Sequence, residues 1–187
     1  MPLNDNTESM LSTFTLLASY NEWMNAKVYA AAATMPYEEL VAERGAFFGS
    51  ILRTLNHIVV GDRIWLRRFA SHPSNHVALK PLSVLPQPRS LDEVLYLNFD
   101  ELAEHRRMLD GVIKNWAESL GEDDLNHVLH YTTTKGVIGM KRFSSLVMHF
   151  FNHQTHHRGQ VSTLLYQAGK DVGVTDLLAL IPNADEA

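Results

Sequence analysis

Four long stretches of the sequence carry apolar residues at spacings of three and four, the pattern of a helix with one buried face. The pattern predicts long helices over about 8–34, 47–69, 90–120 and 143–168. Pro36 is placed to open a short helix, and another is expected near 175–181. The stretch from Ser71 to Ser90 holds four of the seven prolines and predicts a long surface crossing between the second and third long helices. The sequence therefore predicts an all-α four-helix bundle with a long crossover connection.

Local motifs predict where these helices begin and end. Ser90-Leu-Asp-Glu93 has the spacing of a capping box and is expected to start the third long helix. Gly169 is expected to end the fourth, because a left-handed helix cap favours a residue without a Cβ. The β-branched stretch between Gly121 and Arg142, with a turn expected at Lys135-Gly136, predicts an irregular or hairpin-like segment before that helix.

Composition limits the kind of protein this chain can be. A chain of 187 residues, 45% of them hydrophobic, is expected to form a single domain over 1–187. The net charge of -5 and the lack of any Lys/Arg run longer than two argue against nucleic acid or an anionic membrane as a partner. With no cysteine, disulfides and thiolate ligands from the protein are excluded. No signal-peptide pattern or apolar run of about 20 residues is present, which predicts a cytoplasmic protein.

Four histidines fall within nine residues of the fourth predicted helix, from His149 to His157. His153 and His157 stand four residues apart, just over one turn, so both imidazoles project from one face and can reach one metal ion. Catalytic zinc sites usually take three protein ligands, so a third must come from another helix. His57 on the second helix is the best candidate, because the small residues on its face leave a hollow around it. These small residues are Ser50, Thr54 and Gly61.

The other histidines are weaker candidates. His149 can pair with His153 but not with His157, from which two helical turns separate it. His156 lies about 100° around the helix from His157 and is expected outside the ligand set, beside the site or at the surface. Solvent-facing positions are expected for the histidines of the proline-rich crossing and of the β-branched segment. These are His72, His76, His127 and His130.

Asp62 is predicted to lie among apolar residues of the second helix, and a buried carboxylate needs a partner. It can accept the free N–H of a ligating imidazole and so fix that ring's tautomer. The alternative is a structural bond to Arg63, to Arg67 or to Asn25 of the first helix.

Three segments together resemble the DinB/YfiT-like superfamily, which is distinct from the DNA polymerase that shares the DinB name. They are Tyr20–Asn25 (YNEWMN), Leu55–Leu66 (LNHIVVGDRIWL) and Phe151–Val161 (FNHQTHHRGQV). The resemblance implies an up-down-down-up four-helix bundle, a homodimer, and a divalent metal held by His57, His153 and His157. It also implies a relation to thiol-dependent transferases and isomerases, in which the metal activates the sulfur of a low-molecular-weight thiol.

Three neutral imidazoles leave a bound ion its full positive charge and an open position, which favours activation of a thiol or a water molecule. The leading hypothesis is therefore a metal-dependent transferase or hydrolase acting on a small molecule, with zinc or nickel expected and a thiol S-transferase as the named possibility. The alternative is a non-catalytic metal-binding or stress-response module in which the metal is structural. No catalytic acid or base is identified. A di-iron carboxylate protein and a zinc peptidase are excluded, since the chain has neither Glu-x-x-His nor His-Glu-x-x-His.

Overall fold

The computed structural model describes residues 10–183, which are mostly helical with a small two-stranded sheet. The long helices are α1 (Met10–Ala32), α3 (Ile51–Phe69), α4 (Phe99–Glu118) and α6 (Phe143–Gln167). The short helices are α2 (Tyr37–Val41) and α5 (Glu122–Asn126). The strands are β1 (Val128–Thr132) and β2 (Ile138–Arg142), and 3-10 turns cover Val77–Val84 and Leu177–Leu180. The start of the first predicted helix, residues 8 and 9, lies outside the described residues.

The second long helix begins four residues later than its apolar pattern predicts. Ser50 is the N-cap, with an extended backbone and a hydroxyl that accepts a hydrogen bond from the Arg53 N–H at 3.2 Å. Before it, Gly49 has a φ of +81° and pairs with Ala46, so the backbone turns sharply instead of winding into the helix. The fourth long helix ends as predicted, at Gly169 with a φ of +75°.

The prediction that the third long helix starts at Ser90 is wrong. The helix starts at Phe99, because Asn98 caps it by accepting from the N–H groups of Asp100 and Glu101 at 2.8 and 3.1 Å. Glu93 instead accepts a hydrogen bond from the backbone N–H of Arg89 at 2.5 Å.

A buried side chain of α3 explains why the segment before α4 stays non-helical. The amide of Asn56 donates to the Tyr96 carbonyl at 3.0 Å and accepts from the Tyr96 N–H at 2.9 Å. Both backbone groups of Tyr96 are therefore satisfied by a partner outside any helix. The crossing segment is held against α3 in this way.

The segment between α4 and α6 confirms the hairpin-like prediction. Its strands β1 and β2 are antiparallel, with Val128 opposite Arg142 and Thr132 opposite Ile138. Gly136, with a φ of +79°, lies at the turn between them.

The proline-rich crossing is more buried than its composition predicts. Leu79 and Leu82 of the 3-10 turn are 1% and 5% exposed, because this turn packs against both α3 and α4. His72 and His76 are 4% and 6% exposed, so the prediction that they face solvent is wrong. Their rings pack on Phe143, at centroid distances of 4.6 and 6.1 Å. His130, by contrast, is exposed as predicted.

Aromatic residues pack α3, α4 and α6 together at one end of the core. Phe69 stacks on Trp116 with ring centroids 5.1 Å apart and meets Phe143 edge-on at 5.2 Å. Phe150 contacts both Phe69 and Trp116 at 5.7 and 6.0 Å. These four rings are essentially excluded from solvent, and pairs of this geometry add about 0.5–1.5 kcal/mol each beyond their buried area.

A buried polar network joins the same helices near the middle of the core. Asp62 of α3 accepts from Arg106 of α4 at 2.5 Å and from Gln154 of α6 at 2.8 Å. Arg106 also pairs with Asp110 at 2.9 Å. Burial raises the pKa of Asp110 to about 6, although the Arg106 guanidinium opposes this rise.

The first helix joins this network through two buried asparagines. Asn21 and Asn25 donate to the Asp110 carboxylate at 3.0 and 2.8 Å, and Asn21 accepts from Arg158 of α6. Two carboxylates and two guanidiniums thus lie among four helices with balanced charge. Seven residues form this core network: Asn21, Asn25, Asp62, Arg106, Asp110, Gln154 and Arg158.

The role of Asp62 is therefore structural, and its partners differ from both alternatives drawn from the sequence. It bonds neither a histidine nor any of the residues that the sequence offers as structural partners; Arg106 is 44 positions away in the chain. Periodicity cannot predict a pairing at that separation.

Within residues 10–183, no helix combines the length and the apolar character needed to cross a membrane.

Removing one charge from the core network should strongly destabilise the fold. Asp62→Ala removes one of the two carboxylates that pair with the buried Arg106 guanidinium and the acceptor of the Gln154 amide, and we expect a loss of about 3–5 kcal/mol in the free energy of unfolding. Urea denaturation measures it. The matched control is Lys114→Ala, which breaks the exposed ion pair with Glu22 and should change stability little. Equal effects of the two substitutions would contradict a structural role for the network.

Candidate metal centre

His57, His153 and His157 meet where α3 crosses α6. The Nε2 atom of His57 lies 3.3 Å from Nε2 of His153 and 3.1 Å from Nε2 of His157. His57 is 5% exposed, whereas the other two rings are half-buried. Among the residues that the structure describes, no Asp, Glu or further His joins this group of potential ligands.

The spacing of these nitrogens fits a single small metal ion. Zinc binds imidazole nitrogen at about 2.0–2.1 Å, so two nitrogens of a tetrahedral site stand about 3.3–3.4 Å apart. The observed separations of 3.3 and 3.1 Å are close to that edge length. The three histidines are therefore positioned to bind a metal ion.

The hydrogen bonds on the far side of two rings indicate which nitrogen carries the proton. Nδ1 of His57 lies 2.7 Å from the carbonyl oxygen of Leu91, and Nδ1 of His157 lies 2.8 Å from Oε1 of Gln160. Oxygen acceptors require each Nδ1 to donate, which leaves each Nε2 with a lone pair. Two lone pairs facing each other at 3.1 Å cannot form a hydrogen bond. A cation between them removes this conflict.

Burial also favours the neutral, metal-binding form of the rings. It lowers the pKa of His57 and of His157, and it lowers the pKa of His153 to about 3, where the charges of His157 and His57 act in the same direction. At neutral pH all three lone pairs are therefore available without displacing a proton.

Gly61 makes room for the site. A Cβ built at Gly61 would lie 2.7 Å from Cε1 and 3.3 Å from Nδ1 of His153, closer than side chains pack. The predicted hollow on this face of α3 is thus occupied by the His153 ring itself. Phe48, from the loop before α3, covers the other side by stacking on His57 at 3.9 Å and meeting His157 edge-on at 5.6 Å.

The two neighbouring histidines of α6 lie outside the ligand set. His149 packs against Trp65, with centroids 5.0 Å apart, and its ring is 6.1 Å from His153. His156 is exposed and accepts a hydrogen bond from the Gln160 amide at 3.2 Å. His156 thus helps to orient the Gln160 oxygen toward His157.

Sequence reasoning missed three residues that support the site. Gln160 stands three positions after His157 on α6, a spacing at which helix side chains meet, so this partner could have been predicted. Leu91 contributes a backbone carbonyl 34 positions from His57, and no sequence pattern indicates that contact. Periodicity predicts Phe48 within the second long helix, whereas it lies in the loop before Ser50, so its contact with the histidines could not be expected.

The DinB family model matches residues 9–186. The chain belongs to the DinB family. It is also similar to Protein DinB of Bacillus subtilis (strain 168), with 28% identity over 164 residues that cover 86% of this chain and 88% of that protein. No solved structure matches the chain significantly.

In this DinB-family chain, the segments that carry the resemblance lie on α1, α3 and α6. Each segment contributes to the core network, and the segments of α3 and α6 also supply the three histidines. The family motifs therefore coincide with the candidate site and with the polar core beside it.

Filling the space at Gly61 should weaken metal binding without unfolding the protein. In Gly61→Ala the new methyl displaces the His153 ring, and we expect at least a tenfold loss of zinc affinity at this site, measured by competition with a chromogenic chelator. The matched control is Gly159→Ala on α6, where a Cβ meets nothing within 4 Å and affinity should be unchanged. Equal affinities for both variants would contradict the proposed position of the ion.

The metal-free protein should lose stability as the pH falls below about 6.5. Burial lowers the pKa of His153 to about 3 and of His105 to about 4, so the unfolded chain binds these protons first and is stabilised relative to the folded chain on acidification. Asp62 and Asp110, whose pKa values burial raises, oppose the effect but are outnumbered by such histidines. Urea midpoints at pH 7.5, 6.5 and 5.5, with chelator present, should decrease in that order. A constant or rising midpoint would contradict the burial of neutral histidines.

Proposed function

We propose that this chain is a metal-dependent enzyme of the DinB family, with His57, His153 and His157 as the ligands of a divalent ion. The observation that carries the proposal is the convergence of three Nε2 atoms, two of which face each other as lone pairs at 3.1 Å. When bound, the ion supplies a positive charge that lowers the pKa of a coordinated thiol or water molecule and so generates a nucleophile near neutral pH.

The chain's own residues would hold and orient this centre. The Leu91 carbonyl and the Gln160 side chain keep the protons of His57 and His157 on the nitrogens remote from the ion. Phe48 covers one face of the His57 ring and contacts His157 edge-on. Phe47, which is 87% exposed and packs edge-on against Phe48 at 4.8 Å, extends an apolar surface beside the site. That surface suits the apolar part of a small-molecule substrate.

A catalytic ion is favoured over a structural one by the number of ligands. Structural zinc is normally closed by four protein ligands, whereas catalytic zinc keeps a position for water or substrate. Only three potential ligands meet here among the residues that the structure describes, and two of their rings are half-buried. A thiol S-transferase reaction, with the activated thiol as nucleophile, is the leading candidate, hydrolysis is the second, and zinc or nickel is the expected metal.

We also propose that the four long helices form an up-down-down-up bundle. The contacts between α1 and α6 support this arrangement, because Phe14 packs on Phe151 and, further along both helices, Asn21 bonds Arg158. Helices α1 and α6 therefore run parallel.

The remaining directions follow from three further pairs of helices. Helices α3 and α6 are antiparallel, because His57 near the start of α3 meets His157 late in α6, whereas Phe69 at the end of α3 meets Phe143 at the start of α6. Helices α1 and α4 are also antiparallel, because Glu22 meets Lys114 and the later residue Tyr29 meets the earlier residue Phe99. Helices α3 and α4 are parallel, because Asp62 meets Arg106 and the later residue Phe69 meets the later residue Trp116.

Four further expectations from the sequence stay proposals. The chain is expected to form a single domain, to assemble as a homodimer and to work in the cytoplasm on a small-molecule substrate. Size-exclusion chromatography with light scattering tests the dimer.

Binding of an exogenous thiol tests the open coordination position. Protein loaded with Co²⁺ should gain a thiolate-to-cobalt charge-transfer absorption when 2-mercaptoethanol is added, because the thiolate takes the free position. The His57→Ala variant should lose that band, whereas His149→Ala, a histidine outside the ligand set, should keep it. A cobalt spectrum that does not respond to thiol in the wild-type protein would indicate a closed, structural ion and would overturn the enzyme proposal.

A further inference from the structure

A second group of metal-binding side chains lies far from the first. His72 and His76 follow the end of α3, and Asp124 lies on α5. Along α3 alone, the twelve residues from His57 to Phe69 span about 18 Å, so no contact joins the two groups. All three side chains are buried, with exposures of 4%, 6% and 8%.

The residue types and their spacing suit a small divalent ion. One nitrogen of each histidine and one carboxylate oxygen of Asp124 lie within 4.8 Å of one another. His72 and His76 are separated by three residues, a spacing that recurs in structural zinc sites, and Asp oxygen is an accepted zinc ligand. Closing these separations to the roughly 3.3–3.4 Å of a tetrahedral site requires a movement of less than about 1 Å by each ligand atom.

His76 provides an independent observation. Its Nε2 atom is buried and has no hydrogen-bond partner among the described residues. A buried imidazole nitrogen without a partner is costly, because it has given up its bond to water. The ring is held by packing on Phe143 and Trp116, at 6.1 and 6.4 Å, so no polar contact explains its burial.

Asp124 brings negative charge into the same pocket. Burial would raise the pKa of this carboxyl, but hydrogen bonds from the Ser74 hydroxyl and the Gly121 N–H outweigh burial and lower it, so the group is ionised. Its nearest basic groups are the two histidines, and burial lowers the pKa of both and keeps them neutral. Among the described residues, the one basic side chain that lies within 4 Å of the Asp124 carboxylate is His72, whose pKa is lowered. The negative charge in this pocket is therefore not balanced by a cation.

The hydrogen bonds of His72 direct a lone pair toward that charge. Its Nε2 lies 3.3 Å from the Asp124 backbone oxygen, which requires the proton on Nε2 and leaves the lone pair on Nδ1. Nδ1 accepts one long bond, 3.2 Å, from the Ser74 N–H and lies 3.8 Å from the Asp124 carboxylate. A cation between Nδ1 and the carboxylate would replace this weak bond and turn repulsion into attraction.

We propose that His72, His76 and Asp124 form a second, structural site for a divalent transition metal such as zinc. The ion joins the start of the crossover connection to α5, two segments that are 48 positions apart in the chain. It also neutralises the buried carboxylate and gives His76 a partner. His127, whose ring lies 4.6 Å from His72, is the nearest further imidazole for the fourth position. The expected consequence is stability of this end of the fold, independent of any reaction at the first site.

The test uses the full chain with the first site removed. In the triple variant His57→Ala, His153→Ala, His157→Ala, we expect Zn²⁺ alone to bind at one equivalent per chain and to raise the melting temperature measured by circular dichroism. Equilibrium dialysis with elemental analysis gives the stoichiometry. Adding His76→Gln to this background should abolish both effects, whereas adding His130→Gln, the same substitution at an exposed histidine, should leave both unchanged.

A second substitution keeps the test decisive if His76→Gln fails to fold without metal. Asp124→Asn removes the charge but retains an oxygen to accept from Gly121 or Ser74, and it should lower zinc affinity at least tenfold in the same background. Absence of zinc binding by the triple variant would overturn the proposal. Binding that survives both His76→Gln and Asp124→Asn would overturn it as well.

Discussion

The fold depends on a charge-balanced polar network buried among four helices. Asp62, Arg106, Asp110 and Arg158 lie in the core with two asparagines and a glutamine, and each charge has a partner on another helix. Sliding one helix by a residue would leave a charge unpaired in a medium of low polarity, which is far more costly than misplacing an apolar side chain. The network therefore fixes register, while the aromatic cluster around Phe69 and Trp116 supplies much of the apolar packing.

The candidate metal centre uses that register. On α6 the residues of the core network, Gln154 and Arg158, directly follow the ligand candidates His153 and His157. Four-residue spacing places His153 and His157 on one face of α6 and Gln154 and Arg158 on another, about 100° around the helix. On α3, His57 precedes Asp62 by five residues. The bonds that seat Gln154 against Asp62 thus also bring Nε2 of His57 within 3.3 Å of Nε2 of both His153 and His157.

Much of this arrangement follows from the sequence, and the rest fails for identifiable reasons. Apolar periodicity predicts the long helices, and Gly169 predicts the end of α6. The histidine spacing predicts that His153 and His157 meet, and the small residues around His57 make it the best candidate for the third ring. The start of α4 is wrong because Asn56 binds the backbone of Tyr96, a contact across 40 positions. His72 and His76 are buried because the proline-rich crossing packs on the core, which composition alone does not indicate. Both failures concern contacts between distant segments, to which local patterns are blind.

The central claim is that His57, His153 and His157 hold a metal ion. The most direct measurement is elemental analysis of the wild-type protein and of the variant lacking all three histidines, both purified without a polyhistidine tag and reconstituted with zinc. Wild type should contain one equivalent per chain more than the variant, and both should keep the helical circular dichroism spectrum. Identical metal content in two folded proteins would contradict the claim.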